Sequence, residues 1–459
     1  MRHKRVTRSP KEHKEDARRR YALPKLMVVA VSLASLAACP DRLAARRPWQ
    51  AQDRDQSAYA LGSFALNVIF LESDGSTDPN QEDWTAGQLT DLHTEIEQAA
   101  AFWEGLTASY HPNARLDITV NYVNAGVPMA TGYEPITRSG YGDRSLWMNQ
   151  VMAAMGYNSS NADINTRDFN NDQRDSLDTH WAATLYVVND AADANNMFSD
   201  NRFAFSEFGG PYIVTTYGNN GWGIDRYERV LSHELGHVFF ALDEYYGSGA
   251  RNNQRSGYLN GINGNAERNS AGTRVTPPQP DALMINTVLD PSSYTSVQVG
   301  HLDSDNDSIP DILDTVPLVI GDTDGSDADA GIFAFSGYAI VNPIDNKNPK
   351  TWAESGADIT INTIAGGYYN LDGGGWTSFL PTDGQYGGYF EMLELEISGL
   401  DPGPHTIDLR IINSVDNYSD THSFELLVTP EPSSAIVLLL GLCAVVRRGR
   451  KHRNADRLT

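Results

Sequence analysis

Ser-His-Glu-Leu-Gly-His-Val-Phe-Phe-Ala-Leu-Asp-Glu-Tyr-Tyr, residues 232–246, contains the pattern HExxH as His233, Glu234 and His237. On a helix, residues four apart lie about 40° from superposition, so the two imidazoles share a face and can reach one metal ion. Glu234, next to the first histidine, is then placed to move a proton on a water at that metal. Val230, Leu231, Leu235 and Val238 give the same segment an apolar side with which to pack.

What precedes this helix reads as an α/β domain. FALNVIFLE (64–72) is a short apolar run rich in β-formers, the signature of a buried strand, and WAATLYVVND (181–190) is another. RLDITVNYVN (115–124) alternates as a half-buried strand does, and 203–218 reads as two short strands around Gly209-Gly210-Pro211. Between them, Trp84–Ser109 has helical apolar spacing (Leu89, Leu92, Ile96, Phe102, Trp103), and a second helix is expected over 145–155. The HExxH helix begins near Asp225.

The third ligand is a geometric question. If the helix ran on unbroken, Asp243 would sit about 240° from His237 and face away, and Glu244 would share its face about 10 Å further along. Asp243 reaches the metal only if the helix ends between Phe240 and Leu242. A later glutamate, Glu267 in the loop-like NGNAERNS, is the alternative.

This order of strands and helix, with HExxHxxxxxD, resembles the zincin metallopeptidases, and within them the metzincins, whose motif reads HExxHxxGxxH or HExxHxxGxxD. Asp243-Glu244-Tyr245 is similar to the IgA-peptidase-like bacterial metallopeptidases, and Ala282-Leu-Met284-Ile-Asn286 resembles the metzincin Met-turn. The resemblance covers roughly residues 64–300. It implies a zinc endopeptidase acting on a protein or peptide substrate, with His233, His237 and Asp243 as zinc ligands and Glu234 as the catalytic base. Tyr245, Tyr246 and Tyr294 are candidate donors to an oxyanion. One position departs from the pattern: Phe240 stands where metzincins have the glycine that leaves the helix in a left-handed turn.

Beyond residue 300 the character changes. Asp303, Asp305, Asp307, Asp311 and Asp314 fall at positions 1, 3, 5, 9 and 12 of a loop, with the Ile309 carbonyl at position 7, spacing that wraps a hard cation such as calcium in oxygens. The stretch resembles thrombospondin type 3 calcium loops, although Ser308 replaces the usual glycine and Asp314 the usual glutamate. Asp168, Asn170 and Asp172 are a second, shorter run of the same kind. Residues 301–330 read as an acidic calcium-binding linker. Strand-like runs at 332–342, 358–365, 389–399, 405–415 and 423–429 then predict an all-β sandwich over 331–429 that resembles bacterial immunoglobulin-like modules. The fold class is therefore an α/β (α+β) zincin-like catalytic domain followed by this sandwich, the latter a spacer or binding module.

The ends read as sorting signals. Residues 1–38 pair a basic start with the apolar LMVVAVSLASLAA, the form of a signal peptide, and Leu36-Ala-Ala-Cys39 is similar to a lipobox. Residues 39–63 read as a linker. At the other end, Pro430-Glu-Pro432, an apolar run and Arg447-Arg448-Gly-Arg450 resemble the PEP-CTERM signal (430–459). Together they imply export to the surface, outer membrane or surroundings of a bacterium, with membrane association through the terminal signals. Of the 459 residues, 1–38 hold 10 Lys+Arg against 3 Asp+Glu and 443–459 hold 6 against 1, leaving 19 against 55 for 39–442. A surface at −36 repels nucleic acid and attracts divalent cations. Both cysteines, Cys39 and Cys443, lie in the terminal segments, so the body has no disulfide. The competing reading is a non-catalytic surface or matrix-binding protein whose zinc is structural.

Overall fold

The strand expected at 64–72 lies inside the main sheet, with a strand paired on either side, because both of its faces are apolar and both are covered. The structure, a computed structural model, describes residues 47–109, 115–265, 273, 281–349 and 355–430. The expected signal peptide, Cys39, Glu267 and the sorting signal beyond residue 430 lie outside the described residues. Six strands, β1 (Gly62–Ser73), β2 (Leu116–Tyr122), β3 (Met129–Thr131), β4 (Trp181–Val188), β5 (Ala204–Ser206) and β6 (Tyr212–Thr216), form one sheet in the order β2-β1-β4-β6-β5, with β3 continuing beside the end of β1. All neighbours run parallel except β5, the edge strand, which is antiparallel to β6.

Alternate residues of β1 point to opposite faces. Phe64, Leu66, Val68 and Phe70 pack with Leu92, Ile96 and Trp103 of α1 (Ala86–Ala108) and Leu231, Leu235 and Val238 of α4 (Tyr227–Val238). Ile69 and Leu71 meet Trp147, Met148 and Val151 of α2 (Arg144–Ala154) and Phe169 of α3 (Ala162–Ser176). Each fully buried apolar side chain of this size contributes about 1.5–3 kcal/mol. Thr85 starts α1 with a capping box, exchanging bonds with Gln88. Trp103 Nε1 donates to Ser232 O at 3.1 Å, tying α1 to the HExxH helix.

Helix α3 corrects one expectation. Asp168, Asn170 and Asp172 lie within it, so residues two apart point about 200° from one another and cannot open a calcium loop. Asn170 is instead buried, donating to Pro211 O at 2.8 Å and accepting from Thr184 Oγ1 at 2.6 Å.

After α4 come the short strands β7 (Arg255–Ser256) and β8 (Gly261–Ile262) and the short helices α5 (Leu283–Asn286) and α6 (Ser293–Gln298). The β module stacks a three-stranded sheet, β9 (Leu318–Asp322), β10 (Ile332–Ile340) and β13 (Phe390–Ser398), on a four-stranded one. The latter holds β11 (Ile364–Leu371), β12 (Trp376–Phe379), β14 (Gly403–Asn413) and β15 (His422–Val428), and one core fills the space between the sheets.

Neither expected linker behaves as one. Ala58, Tyr59, Ala60 and Leu61 are buried in the core of the α/β unit, because they are apolar and lead directly into β1. Ile309, Ile312 and Leu313 join the same core, and β9, also within 301–330, is already a strand of the sandwich. The strand expected at 358–365 starts only at Ile364; the residues before it lie across the α/β unit, with Ile359 in its core. Tyr258 Oη serves this strap, with Ile344 O at 2.9 Å, Ile359 O at 3.1 Å and Ile359 N donating to it at 2.8 Å. Ser355 Oγ donates to Asp55 Oδ2 at 2.7 Å. Tyr258→Phe strands these buried backbone groups, and is expected to cost about 1–3 kcal/mol, read as a lower urea midpoint at unchanged slope.

Candidate metal centre

Helix α4 ends at Val238, and the way it ends builds the site. Ala241 N donates to Gly236 O at 2.8 Å and Phe240 N to His237 O at 3.0 Å, the paired bonds of a Schellman turn. The residue that takes the left-handed conformation is Phe240, at φ +71°. Its ring is held by Phe208, at a centroid distance of 5.3 Å, and lies against Gly209, where an added Cβ would come 2.4 Å from Phe240 Cζ. Ser256 Oγ donates to Phe240 O at 2.7 Å.

The turn reverses the chain, and Asp243 comes back to the imidazoles. Asp243 Oδ1 lies 3.2 Å from His233 Nε2 and 3.4 Å from His237 Nε2. His233 Nδ1 is 2.9 Å from Leu283 O and His237 Nδ1 is 2.8 Å from Ala241 O. A carbonyl only accepts, so both Nδ1 atoms carry a proton, and both Nε2 atoms turn to the Asp243 carboxylate. Oδ1 is buried and accepts from no neutral donor. Two ring nitrogens and a carboxylate oxygen gathered within 4.8 Å of one another fit a cation, and the nitrogen and oxygen donors suit zinc. The same charges show in the titration of the group. Burial pulls His237 down, but the Asp243 charge and hydrogen bond outweigh it and leave the imidazole raised to about 9. Burial pushes Asp243 up, and the two histidines more than reverse this, holding it low.

Glu234 is beside this group on α4. Ser206 Oγ, on the edge strand β5, lies 2.8 Å from Glu234 Oε2 and 2.9 Å from Glu234 O, which fixes one carboxylate oxygen. Nothing in the sequence singled out Ser206; only the sheet order brings it to the helix. Met284 is fully buried, its Sδ 3.0 Å from where a Cβ on Gly236 would lie, and its carbonyl accepts from Glu244 N at 2.8 Å. Glu244 turns to α6, accepting from Ser292 Oγ at 2.6 Å and Thr295 Oγ1 at 3.0 Å. Of the three tyrosines, Tyr245 is near the site, its ring 6.4 Å from that of His233. Burial, then the Asp243 and Glu234 charges, push its phenol up to about 12, so it stays protonated at neutral pH. Tyr246 is 57% exposed, and Tyr294 packs against Gly264.

In the acidic loop, Asp303, Asp305 and Asp307 each place a carboxylate oxygen within 4.8 Å of the others. Ser308, at φ +75°, takes the conformation expected of the missing glycine. Asp311 and Asp314 are outside this group, Asp311 Oδ1 accepting from Ser304 N and Asp314 Oδ1 from Asn417 Nδ2, each at 2.7 Å.

No family model matches the sequence, and no curated protein matches it. Solved structures similar to the chain include wild-type OgpA from Akkermansia muciniphila in two crystal forms. One is 12% identical, covering 80% of this chain and 93% of that chain at a TM-score of 0.26. The other is 13% identical, covering 81% and 94% at a TM-score of 0.26. Catalytically inactive OgpA in complex with an O-glycopeptide (glycodrosocin) substrate is 12% identical, covering 82% and 96% at 0.25. Scores at that level do not establish a common fold.

The packing of Phe240 on Gly209 is open to a direct test. Gly209 itself has φ +79°, so Gly209→Ala adds a strained backbone to a clash with the ring. The substitution is expected to destabilise the protein by at least about 2 kcal/mol, measured by equilibrium unfolding.

Proposed function

We propose that the chain is an exported zinc-dependent endopeptidase of the zincin kind, metzincin type, with His233, His237 and Asp243 as the metal ligands and Glu234 as the catalytic base. The observation that carries this reading is the convergence of two Nε2 atoms and one carboxylate oxygen beside a carboxylate that Ser206 holds in place. When bound, zinc supplies a Lewis acid for the peptide carbonyl and acidifies water in its remaining position. Glu234 takes the proton from the attacking water and passes it to the leaving amine. Ser206 engages Oε2, so Oε1 would be the oxygen that takes this proton. Tyr245, keeping its proton, is positioned to donate to the oxyanion that develops at the carbonyl. Among the described residues the edge strand β5 bonds on one side only, to β6, and offers its other side to an extended peptide.

Met284 beneath Gly236 supports reading 282–286 as a Met-turn. Asp303, Asp305 and Asp307 are the part of the acidic loop that supports a structural calcium, and the two stacked sheets of the β module support an immunoglobulin-like reading. Export rests on the terminal sequences, 1–38 and 430–459. Against a purely structural zinc, the group contains three side chains among the described residues, whereas a closed structural site would use four.

Hydrolysis of a general protein substrate is expected to stop on addition of a chelator and return with zinc. Glu234→Gln is expected to lower kcat by at least about 100-fold; full activity in that variant rejects the mechanism. Zinc affinity separates the two candidate third ligands. Asp243→Ala is expected to weaken it by at least about 100-fold while Glu267→Ala leaves it unchanged, as measured by competition with a chromogenic chelator.

A further inference from the structure

Arg410 stands on the outward face of the four-stranded sheet, directly across the β11–β14 ladder from Tyr368. Its guanidinium carbon is 3.9 Å from the ring centroid of Trp376, 3.9 Å from that of Tyr418 and 6.0 Å from that of Tyr368. Trp376 is 38% exposed and Tyr418 39%, so the rings that hold the cation also face solvent. Other arginines of this acidic chain are paired: Arg47, Arg138, Arg144, Arg202 and Arg229 all sit against carboxylates. Among the described residues no oxygen accepts a hydrogen bond from Arg410, and its Nε is buried without a partner. Aromatic contacts fix the plane of this guanidinium and leave its donors unused.

We propose that Trp376, Arg410 and Tyr418 form a binding platform for a neutral saccharide. A pyranose ring has an apolar C–H face and a rim of hydroxyl oxygens. The face suits an exposed aromatic ring, and the rim supplies acceptors for the N–H donors at the two terminal nitrogens of the planar guanidinium. Asn370, on the same face because it pairs with both Trp376 and Asp408, adds a short polar side chain beside the platform. Stacking pre-orients the fork, so binding orders little that is not already ordered. Two other occupants fit less well. A polyanion would meet a chain of net charge −24. An extended peptide would add in the plane of the sheet, at the edge of β12, and not over the face on which Arg410 stands.

The test is native electrophoresis of the intact chain through gels containing dextran, galactomannan, xyloglucan or polygalacturonate, with a soluble proline-rich peptide titrated separately. At least one neutral polysaccharide is expected to retard the chain. Trp376→Ala and Arg410→Ala are expected to weaken that binding at least ten-fold without shifting the unfolding midpoint, whereas Leu427→Ala, at an apolar residue 65% exposed elsewhere on the module, leaves it unchanged. Arg410→Lys keeps a cation on the rings but not the fork, and is expected to weaken binding as well, which covers the case in which Arg410→Ala does not fold. The proposal is overturned if no neutral polysaccharide retards the chain, if only polygalacturonate or the peptide binds, or if the Trp376 and Arg410 variants bind as the parent does.

Discussion

The left-handed turn at Phe240 is the constraint on which the candidate centre depends. A residue with a Cβ in this conformation costs roughly 1–2 kcal/mol relative to an ordinary helical one, and here it is offset by the ring that comes with it. Phe240 packs on Phe208 and on the bare backbone of Gly209, while the Schellman bonds satisfy the last carbonyls of α4. The freedom usually supplied by a glycine in the turn is supplied by a glycine opposite it. Once the chain has reversed, other contacts follow from its path: Asp243 meets both imidazoles, Ala241 O orients His237, and Glu244 N engages the Met284 turn, whose neighbour Leu283 orients His233.

Much of the architecture around that turn was legible in the sequence, because it rests on local patterns. The buried strands β1 and β4 are unbroken apolar runs, α1 has a strong helical spacing, and the HExxH spacing already implies two imidazoles on one face. What was not legible depends on contacts between distant residues. Helix α3 is polar along its length, its buried Asn165 and Asn170 are satisfied by tertiary hydrogen bonds rather than by apolar packing, and Arg174 Nη1 donates to Asp55 O. Ser206 reaches Glu234 only through the order of strands in the sheet. The outcome at Phe240 was a matter of competing geometries: helix periodicity alone turns Asp243 away, and the packing that ends the helix is invisible without Gly209 in place. In the acidic loop the carboxylate spacing indicated a cluster, and the three-dimensional path gathers Asp303, Asp305 and Asp307, while Asp311 accepts from the loop's own Ser304 N and Asp314 from Asn417.

The β module is also more than an appendage. Ile359 and Val415 belong to the same core as β1 and α4, Asn362 Nδ2 donates to Leu313 O at 2.7 Å, and Asn413 Nδ2 donates to Thr315 O at 2.7 Å. Such contacts place the two parts in one compact unit, which carries both the outward sheet face bearing Arg410 and the His233–His237–Asp243 group.

The bond between Asp55 and Ser355 joins residues 300 positions apart in sequence. A chain made from its N-terminus has β1, the HExxH helix and all three converging side chains available long before Ser355 and Ile359 exist. It cannot close the core around Tyr59 and Tyr258 until they do. Contacts of such long range are made late and slowly. During synthesis the growing polypeptide therefore holds the motif before the residues that close the core around it have been made.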